Sequence, residues 1–279
     1  MSYKIIVDSC GELTASMKES GKFENIPLTL QVDDVDIVDD ETFNQTEFLK
    51  MVAKSPNCPK SACPSPEQYR KACEGDVEHV YIVTLSGNLS GSYNSAVLGR
   101  NLYMEDHEDK NIYVFNSKSA SIGQTLIALK IQECEEKGMA FKEVIETTEN
   151  FISGMRTYFV LENLETLRKN GRLSRVKALV AGALKIKPVM GEDGEGNIIQ
   201  LDQARGINKA LMKMLDYVEK NLQNPEEQII GITNCNCPER AEMIKEELEK
   251  RIKVKEIIIL NAKGVSSMYA NDGGIIIAV

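Results

Sequence analysis

Residues 81–96 read Tyr81-Ile82-Val83-Thr84-Leu85-Ser86-Gly87-Asn88-Leu89-Ser90-Gly91-Ser92-Tyr93-Asn94-Ser95-Ala96. The first four are typical of a buried strand, and the segment from about residue 92 to residue 104 has the pattern of a helix. The serine-rich turn between them lies at a helix start, where unpaired backbone N–H groups and the helix dipole favour an anion. We expect Gly87 and Gly91 to let the backbone approach that anion closely.

Strand and helix patterns alternate on both sides of this turn. Strands are predicted at 4–7 and 112–115, and helices near 13–20 and 121–137. This alternation predicts a parallel α/β sheet, whose ligands lie beyond the carboxyl ends of the strands. Each loop leaving those ends carries hydroxyl groups, at Ser9, in the 86–92 turn, and at Ser117, Ser119 and Ser121.

The pattern changes after residue 150. Predicted strands lie at 157–161, 186–190, 198–201, 228–233 and 256–260, and predicted helices at about 207–222 and 239–251. The second and third of these strands flank a glycine-rich turn and predict a hairpin. We therefore predict an α/β chain of two domains, a parallel-sheet domain over residues 1–152 and an α+β domain over residues 153–279.

The composition of the chain argues against several classes of function. The chain has 279 residues, 42% of them hydrophobic, and a formal net charge of −9, which argues against a nucleic-acid surface. Its apolar runs are far shorter than the roughly 20 residues that a membrane span needs, so stable membrane insertion is not expected. Without a visible signal peptide, and with seven scattered cysteines, we expect a cytoplasmic protein with reduced thiols.

A second serine turn reads Ser61-Ala62-Cys63-Pro64-Ser65-Pro66. Ser65 and Gln68 have the spacing of a capping box, with Pro66 at the first helical position. We therefore predict that Ser65 caps a helix. Ser61 lies outside the cap and is free to meet a ligand.

Other kinds of site are disfavoured by residue type and spacing. A serine nucleophile needs a nearby base, but His79 precedes a strand, away from the serine turns, and His107 lies in an acidic surface turn. The glycine-rich loop that cradles nucleotide phosphates is absent from the sequence. The acidic run at 32–41 predicts a solvated strand or loop, and the cysteines lack zinc-site spacing, so no metal or cofactor is expected.

Arg172 is a candidate contact for a phosphate or a carboxylate. Gly171 can bend the chain beside it, and a guanidinium binds such groups in a fork. The alternative is a salt bridge at a helix end, where basic residues are favoured in any case. The residues themselves leave both interpretations open.

Five segments, in this order along the chain, resemble the DegV family. They are Asp8-Ser9, the 61–66 turn, the 89–96 turn, residues 117–123, and residues 161–174 followed by Ile186-Lys187-Pro188. The resemblance extends over the whole length of the chain. It implies a two-domain protein that binds a long-chain fatty acid, with the carboxylate at the domain junction and the tail in an apolar tunnel.

The resemblance also implies a partner and a set of contacts. The family's members present the fatty acid to a separate fatty acid kinase, which carries the ATP site. By position, the residues that correspond to the head-group turn are Ser61, Ser90, Gly91 and Ser92. Arg172 corresponds to an arginine implicated in the kinase partnership.

Tyr269 occupies a position at which many relatives have histidine. A tyrosine hydroxyl can hydrogen-bond to a carboxylate, but it carries no positive charge near neutral pH. Asp272 adds negative charge where proline is common in the family. We therefore predict Tyr269 as a ligand contact that differs in chemistry from the family's histidine.

The leading hypothesis is a binding protein rather than an enzyme. Burial of the tail, at about 0.8 kcal/mol per CH₂, would supply most of the affinity. One alternative is a serine-dependent hydrolase or acyltransferase that uses Ser90 or Ser92 as nucleophile. Another is a regulatory module whose lipid occupancy controls its association with another protein.

Overall fold

The computed structural model describes residues 2–107, 110–174, 176 and 185–279. Its strands are β1 (Tyr3–Asp8), β2 (Phe23–Ile26), β3 (Thr29–Val32), β4 (Val35–Val38), β5 (Lys60–Ala62), β6 (His79–Thr84), β7 (Asn111–Asn116), β8 (Thr157–Val160), β9 (Ile186–Glu192), β10 (Ile198–Arg205), β11 (Ile229–Asn234), β12 (Glu256–Asn261) and β13 (Ile275–Ala278). Its helices are α1 (Ala15–Glu19), α2 (Gln45–Lys54), α3 (Pro66–Ala72), α4 (Ser92–Asp106), α5 (Ile122–Glu136), α6 (Phe141–Gly154), α7 (Glu165–Lys169), α8 (Ile207–Asn221), α9 (Pro238–Arg251) and α10 (Gly264–Ala270).

The first part of the chain forms the predicted parallel sheet. Its strand order is β2-β1-β6-β7, and every neighbouring pair is parallel. Alternate residues of β1 and β6 pack on opposite faces, with α5 and α6 on one side and α3 and α4 on the other. Because the strands are parallel, the loops after β1, β6 and β7 leave from the same edge of the sheet.

The second part of the chain forms a six-stranded mixed sheet, in the order β10-β9-β8-β13-β11-β12. The predicted hairpin is confirmed as the antiparallel pair β9 and β10, which is longer than the sequence pattern indicated. Helices α8 and α9 bury one face of this sheet. Helix α5 packs against the other face near β11 and β13, so it lies between the two large sheets.

A small antiparallel sheet, in the order β4-β3-β5, was not predicted as a sheet. The acidic run contributes β4, where Asp36 and Val38 are exposed as expected. The same run ends in Asp39, whose side chain is fully buried, so the expectation of a solvated run is wrong at that residue. Its carboxylate has hydrogen-bond partners inside the protein, which offset the loss of water.

The chain is mixed α/β throughout, as the sequence patterns predicted. The division into domains at residues 1–152 and 153–279 stays a prediction. Within the described ranges, each helix is too short or too polar to cross a membrane.

Candidate ligand-binding site

Asp8 organises the loops at the carboxyl edge of the parallel sheet. Its fully buried carboxylate accepts hydrogen bonds from Ser92 Oγ at 2.6 Å, from Gln124 Nε2 at 2.9 Å and from the Leu85 N–H at 2.8 Å. Burial raises the pKa of Asp8, and these hydrogen bonds partly oppose that rise. The carboxylate thereby fixes both ends of the serine turn that runs from Leu85 to Ser92.

Ser92, a predicted head-group contact, is placed on the inner side of that turn. Its side chain is fully buried, and its hydroxyl is hydrogen-bonded to Asp8 and, at 2.6 Å, to the Tyr69 hydroxyl. These contacts join β1, α3 and the start of α4. Ser92 therefore supports the turn from behind, while its role as a ligand contact stays a prediction.

Ser90 and Gly91 lie at the outer side of the turn. Ser90 is half-buried, and its hydroxyl accepts a hydrogen bond from the Ser92 N–H at 3.2 Å. Gly91 is exposed, and a side chain there would place its Cβ 3.2 Å from Cys63 Sγ. The two serine turns are therefore in contact at Gly91, which needs a small residue for that approach.

Ser61 lies in β5 of the small sheet, which places it near the same region. It pairs with Leu30 across β5 and β3, so the two side chains share a face of the sheet. Leu30 is fully buried on that face, in a cluster with Leu85 and Tyr269. Ser61 is half-buried and faces this core. Ser65 forms the predicted capping box with Gln68, which is confirmed.

Hydrogen bonds of Arg172 and of its neighbour Asn170 connect the 161–174 segment to both serine turns. Its Nε donates to the Leu89 carbonyl at 3.1 Å, and its Nη1 donates to the Asn170 carbonyl. Asn170 in turn donates to the Pro59 carbonyl at 3.0 Å, beside the 61–66 turn. Gly171 has a φ of +75°, the left-handed conformation that glycine adopts readily, and this bends the chain as predicted.

An apolar cavity lies between the two large sheets. Its walls come from both parts of the chain, with Cys10, Leu85, Leu89 and Ala120 on one side and Phe159, Leu161, Leu167, Ile198, Val265, Ala270 and Ile276 on the other. Arg172 and Tyr269 line it directly. An apolar wall with a few polar groups is typical of a small-molecule site, and the cavity lies where the predicted tunnel was expected.

Tyr269 lies on α10, a short helix that also carries Val265 and Ser266 on the cavity wall. The structure therefore brings two predicted residues, Tyr269 and Arg172, onto the wall. Ser61, Ser90 and Gly91 lie in the adjoining turns, and Ser92 lies behind them. The predicted set thus converges on one region of the protein, although its members occupy different depths.

Asp39 and Glu12 were missed by the sequence reasoning. Asp39 accepts hydrogen bonds from the Gly264 and Val265 N–H groups at 2.8 and 2.9 Å, and from Ser9 Oγ at 2.9 Å. It therefore caps α10, which lacks a side-chain cap of its own. A Cβ on Gly264 would lie 2.5 Å from the Asp39 carboxyl, so only glycine permits this approach.

Glu12 holds the same helix start from another side. Its buried carboxyl accepts from Ser121 Oγ at 2.9 Å and lies 3.4 Å from the Lys263 N–H. Burial raises the pKa of Glu12 to about 7. Two buried carboxyls from the first part of the chain thus anchor the helix that carries Tyr269. The local sequence hints at this arrangement only through Lys263-Gly264, which begins a helix without a residue that could cap it.

The histidines lie away from the serine turns. His79 Nδ1 is 2.6 Å from Glu135 Oε1 in a buried cluster with Tyr81, at the amino end of β6. His107 Nδ1 lies 3.0 Å from the Tyr103 carbonyl. In the described part of the chain, neither imidazole is hydrogen-bonded to a serine. This arrangement gives no support to a serine nucleophile.

No metal centre is formed by the residues that the structure describes. Among them, no three side chains of histidine, cysteine, aspartate or glutamate converge as ligands would. The site therefore offers hydroxyls, backbone groups, an apolar wall and the charged side chains of Arg172, Lys118 and Glu192.

Comparison with known proteins identifies relatives over the full length. A solved DegV family protein from Ruminococcus gnavus, refined with vaccenic acid, is 53% identical, with a TM-score of 0.98 and full coverage of both chains. The Fatty Acid Kinase B3 protein of Streptococcus pneumoniae, solved with linoleic acid, is 31% identical, with a TM-score of 0.87 over 100% of this chain and 99% of that one.

Curated sequences and a family model agree with these structures. A DegV domain-containing protein of Streptococcus pneumoniae is 33% identical over 282 residues, which cover 99% of this chain and 98% of the relative. The model described as "Uncharacterised protein, DegV family" matches residues 2–279. The chain belongs to the DegV family.

Proposed function

We propose that this protein binds a long-chain fatty acid and is not itself an enzyme. The observation that carries the proposal is the apolar cavity between the two large sheets, which is lined by Leu85 and Leu89 of the 85–92 turn, by Arg172 and by Tyr269. Several structural relatives were solved with fatty acids. Burial of an acyl chain at about 0.8 kcal/mol per CH₂ outweighs one or two neutral hydrogen bonds.

The charges along the cavity favour one orientation of the ligand. Arg172 supplies a positive charge beside Tyr269, whereas Glu192 lies at the Thr157 end of the wall, next to Lys118, whose ammonium is paired with Glu195. A fatty carboxylate is attracted by Arg172, and at the other end it meets the Glu192 carboxyl and a cation that already has a carboxylate partner. We therefore infer that the carboxylate lies near Ser61, Ser90, Gly91 and Tyr269, with the tail directed toward Thr157.

Ser92 has a supporting part in this proposal. It holds the turn through Asp8, and its backbone N–H, at the start of α4, donates to Ser90 Oγ and so positions that hydroxyl. The positive end of that helix dipole adds to the attraction for a carboxylate. Hydroxyl and backbone donors together then select the head group, while the apolar wall supplies affinity.

Binding is tested by native mass spectrometry of the delipidated protein with palmitate or oleate. We expect one fatty acid per chain for the wild type and a loss of binding for Ala120→Phe, which fills the cavity. Ala53→Phe, on the exposed side of α2, is the matched control and should bind normally. The proposal is wrong if the wild type gains no mass, or if both variants bind equally.

We further propose that the protein presents its fatty acid to a separate kinase in the cytoplasm. The relationship to the Fatty Acid Kinase B3 protein supports this, as does the basic Arg172 beside the site. Loaded protein, ATP and the ATP-binding subunit of a bacterial fatty acid kinase should together yield acyl phosphate, trapped as a hydroxamate. Product formed equally well without this protein would contradict the partnership.

A further inference from the structure

The cavity has two chemically different ends, which β8 connects. Thr157 and Phe159 are alternate residues along this strand, Leu161 directly follows its end, and all three line the cavity. At a rise of about 3.3 Å per residue, Thr157 and Leu161 are about 13 Å apart. Leu161 lies at the end with Arg172 and Tyr269. Thr157 therefore marks the distal end, where the tail of a fatty acid would terminate or pass.

The distal end is polar although it is buried. Ser119 Oγ lies 2.6 Å from Thr157 Oγ1, and both residues line the cavity. Gly191 pairs with Tyr158 across β9 and β8, so Glu192 and Thr157 are neighbours on the next rung. Alternation along β9 places Glu192 on the same face as Met190, opposite to the face of Val189. The Glu192 side chain therefore faces the cavity.

One carboxyl oxygen of Glu192 accepts no hydrogen bond from the described residues. Its side chain is only 9% exposed, and Oε1 is buried without a hydrogen-bond partner among the described residues. Oε2 accepts from the Gly194 N–H, and Arg156 Nε lies 3.8 Å from Oε1, beyond hydrogen-bond length. A buried acceptor left in this state destabilises the protein, and a ligand donor would relieve that.

Lys118, the other cation near Glu192, does not donate a hydrogen bond to Oε1 either. Lys118 lines the cavity, but its ammonium is bound to the Glu195 carboxylate at 3.0 Å and to the Gly194 carbonyl. Burial also raises the pKa of Glu192. In either protonation state, the carboxyl can accept a hydrogen bond from a neutral hydroxyl, whereas an ionised carboxylate of a ligand meets like charge.

We propose that the distal end of the cavity is a subsite for a hydroxyl group on the acyl chain, formed by Glu192 with Thr157 and Ser119, so that the protein accepts hydroxylated fatty acids. This inference rests on the proposed fatty-acid function and specifies its ligand class. An acyl chain with a hydroxyl in its middle or at its end would donate to Glu192. A hydroxyl beside the carboxylate would lie at the opposite end and gain nothing from Glu192.

The test compares dissociation constants for hydroxylated and parent fatty acids. The ligands are mid-chain hydroxystearates against stearate and ω-hydroxypalmitate against palmitate, with α-hydroxypalmitate as the positional control. For each pair, the dissociation constant of the parent acid is divided by that of the hydroxylated acid. For at least one distally hydroxylated acid, this ratio should be larger in the wild type than in Glu192→Leu. The change in that ratio should be about tenfold, the size of one hydrogen bond to a charged group.

Two controls separate recognition from damage to the fold. Glu192→Gln keeps an acceptor oxygen and should retain part of the preference. Glu192→Leu should leave the affinity for α-hydroxypalmitate, relative to that for palmitate, unchanged. If the ratios for every distally hydroxylated acid are equal in wild type and Glu192→Leu, water satisfies the carboxyl and the subsite is refuted. If the wild type binds no palmitate at all, the proposed function fails, and this inference fails with it.

Discussion

At the scale of single residues, buried carboxyls determine where the proposed ligand-binding groups lie. Asp8 fixes the serine turn, and Glu12 and Asp39 hold α10. Each of these acids is surrounded by donors from distant parts of the chain. Their effect on function is therefore indirect, through the positions of Ser90 and Tyr269.

Glu12 gives a prediction for the pH dependence of stability. Its pKa is raised from 4.5 to about 7 in the folded protein. Between those values the folded protein retains a proton that the unfolded chain releases, so stability falls as pH rises. The free energy of unfolding of the wild type, relative to Glu12→Gln, should decrease by about 3 kcal/mol from pH 4.5 to pH 7.

Urea unfolding of both proteins across that pH range measures the difference. Glu12→Gln keeps the size of the side chain and removes its titration, so other groups cancel in the comparison. A difference that stays constant, or one that grows with pH, would show that Glu12 does not titrate in this way.

At the scale of elements, α10 depends on a cap from another part of the chain. Asp39→Ala leaves the Gly264 and Val265 N–H groups and the Ser9 hydroxyl without their acceptor. We expect a loss of about 3 kcal/mol in unfolding free energy and weaker fatty-acid binding, because α10 carries Tyr269. Calorimetric titration with palmitate, together with urea unfolding, measures both.

Asp36→Ala is the matched control within the same acidic run. Asp36 is exposed and, among the residues that the structure describes, accepts from Gln31 alone, so its loss should change stability by less than about 0.5 kcal/mol. Palmitate affinity should remain that of the wild type. Equal effects of the two substitutions would show that the charge of the run matters, and not the cap.

The elements that the sequence predicted correctly are those with local signals. Buried strands such as β1 and β6, the β9 and β10 hairpin, and the Ser65 cap all follow from neighbouring residues. Asp39 was missed because its partner Gly264 is 225 positions away in the sequence. Likewise, Ser92 carries the signature of an anion-binding turn, yet its hydroxyl meets Asp8, 84 positions away. Spacing along a chain does not reveal such pairs.

At the scale of the whole molecule, the cavity exists because two sheets approach each other around α5. Neither part of the chain encloses it alone, since Leu85 and Ala120 face Phe159 and Leu161 across it. Family resemblance placed a tunnel at this junction, but the polar Glu192 end follows from the register of β8 and β9. A bound acyl chain would contact both parts and stabilise their association by linkage.

The most direct test of the central claim is a crystal structure of the protein with ω-bromopalmitate, whose bromine is located by anomalous scattering. We predict one bromine inside the cavity, nearer to Thr157 than to Tyr269, with the carboxylate beside Ser61 and Ser90. Bromine beside Arg172 would reverse the proposed orientation. An unoccupied cavity, with the protein saturated in solution, would contradict the proposed binding site itself.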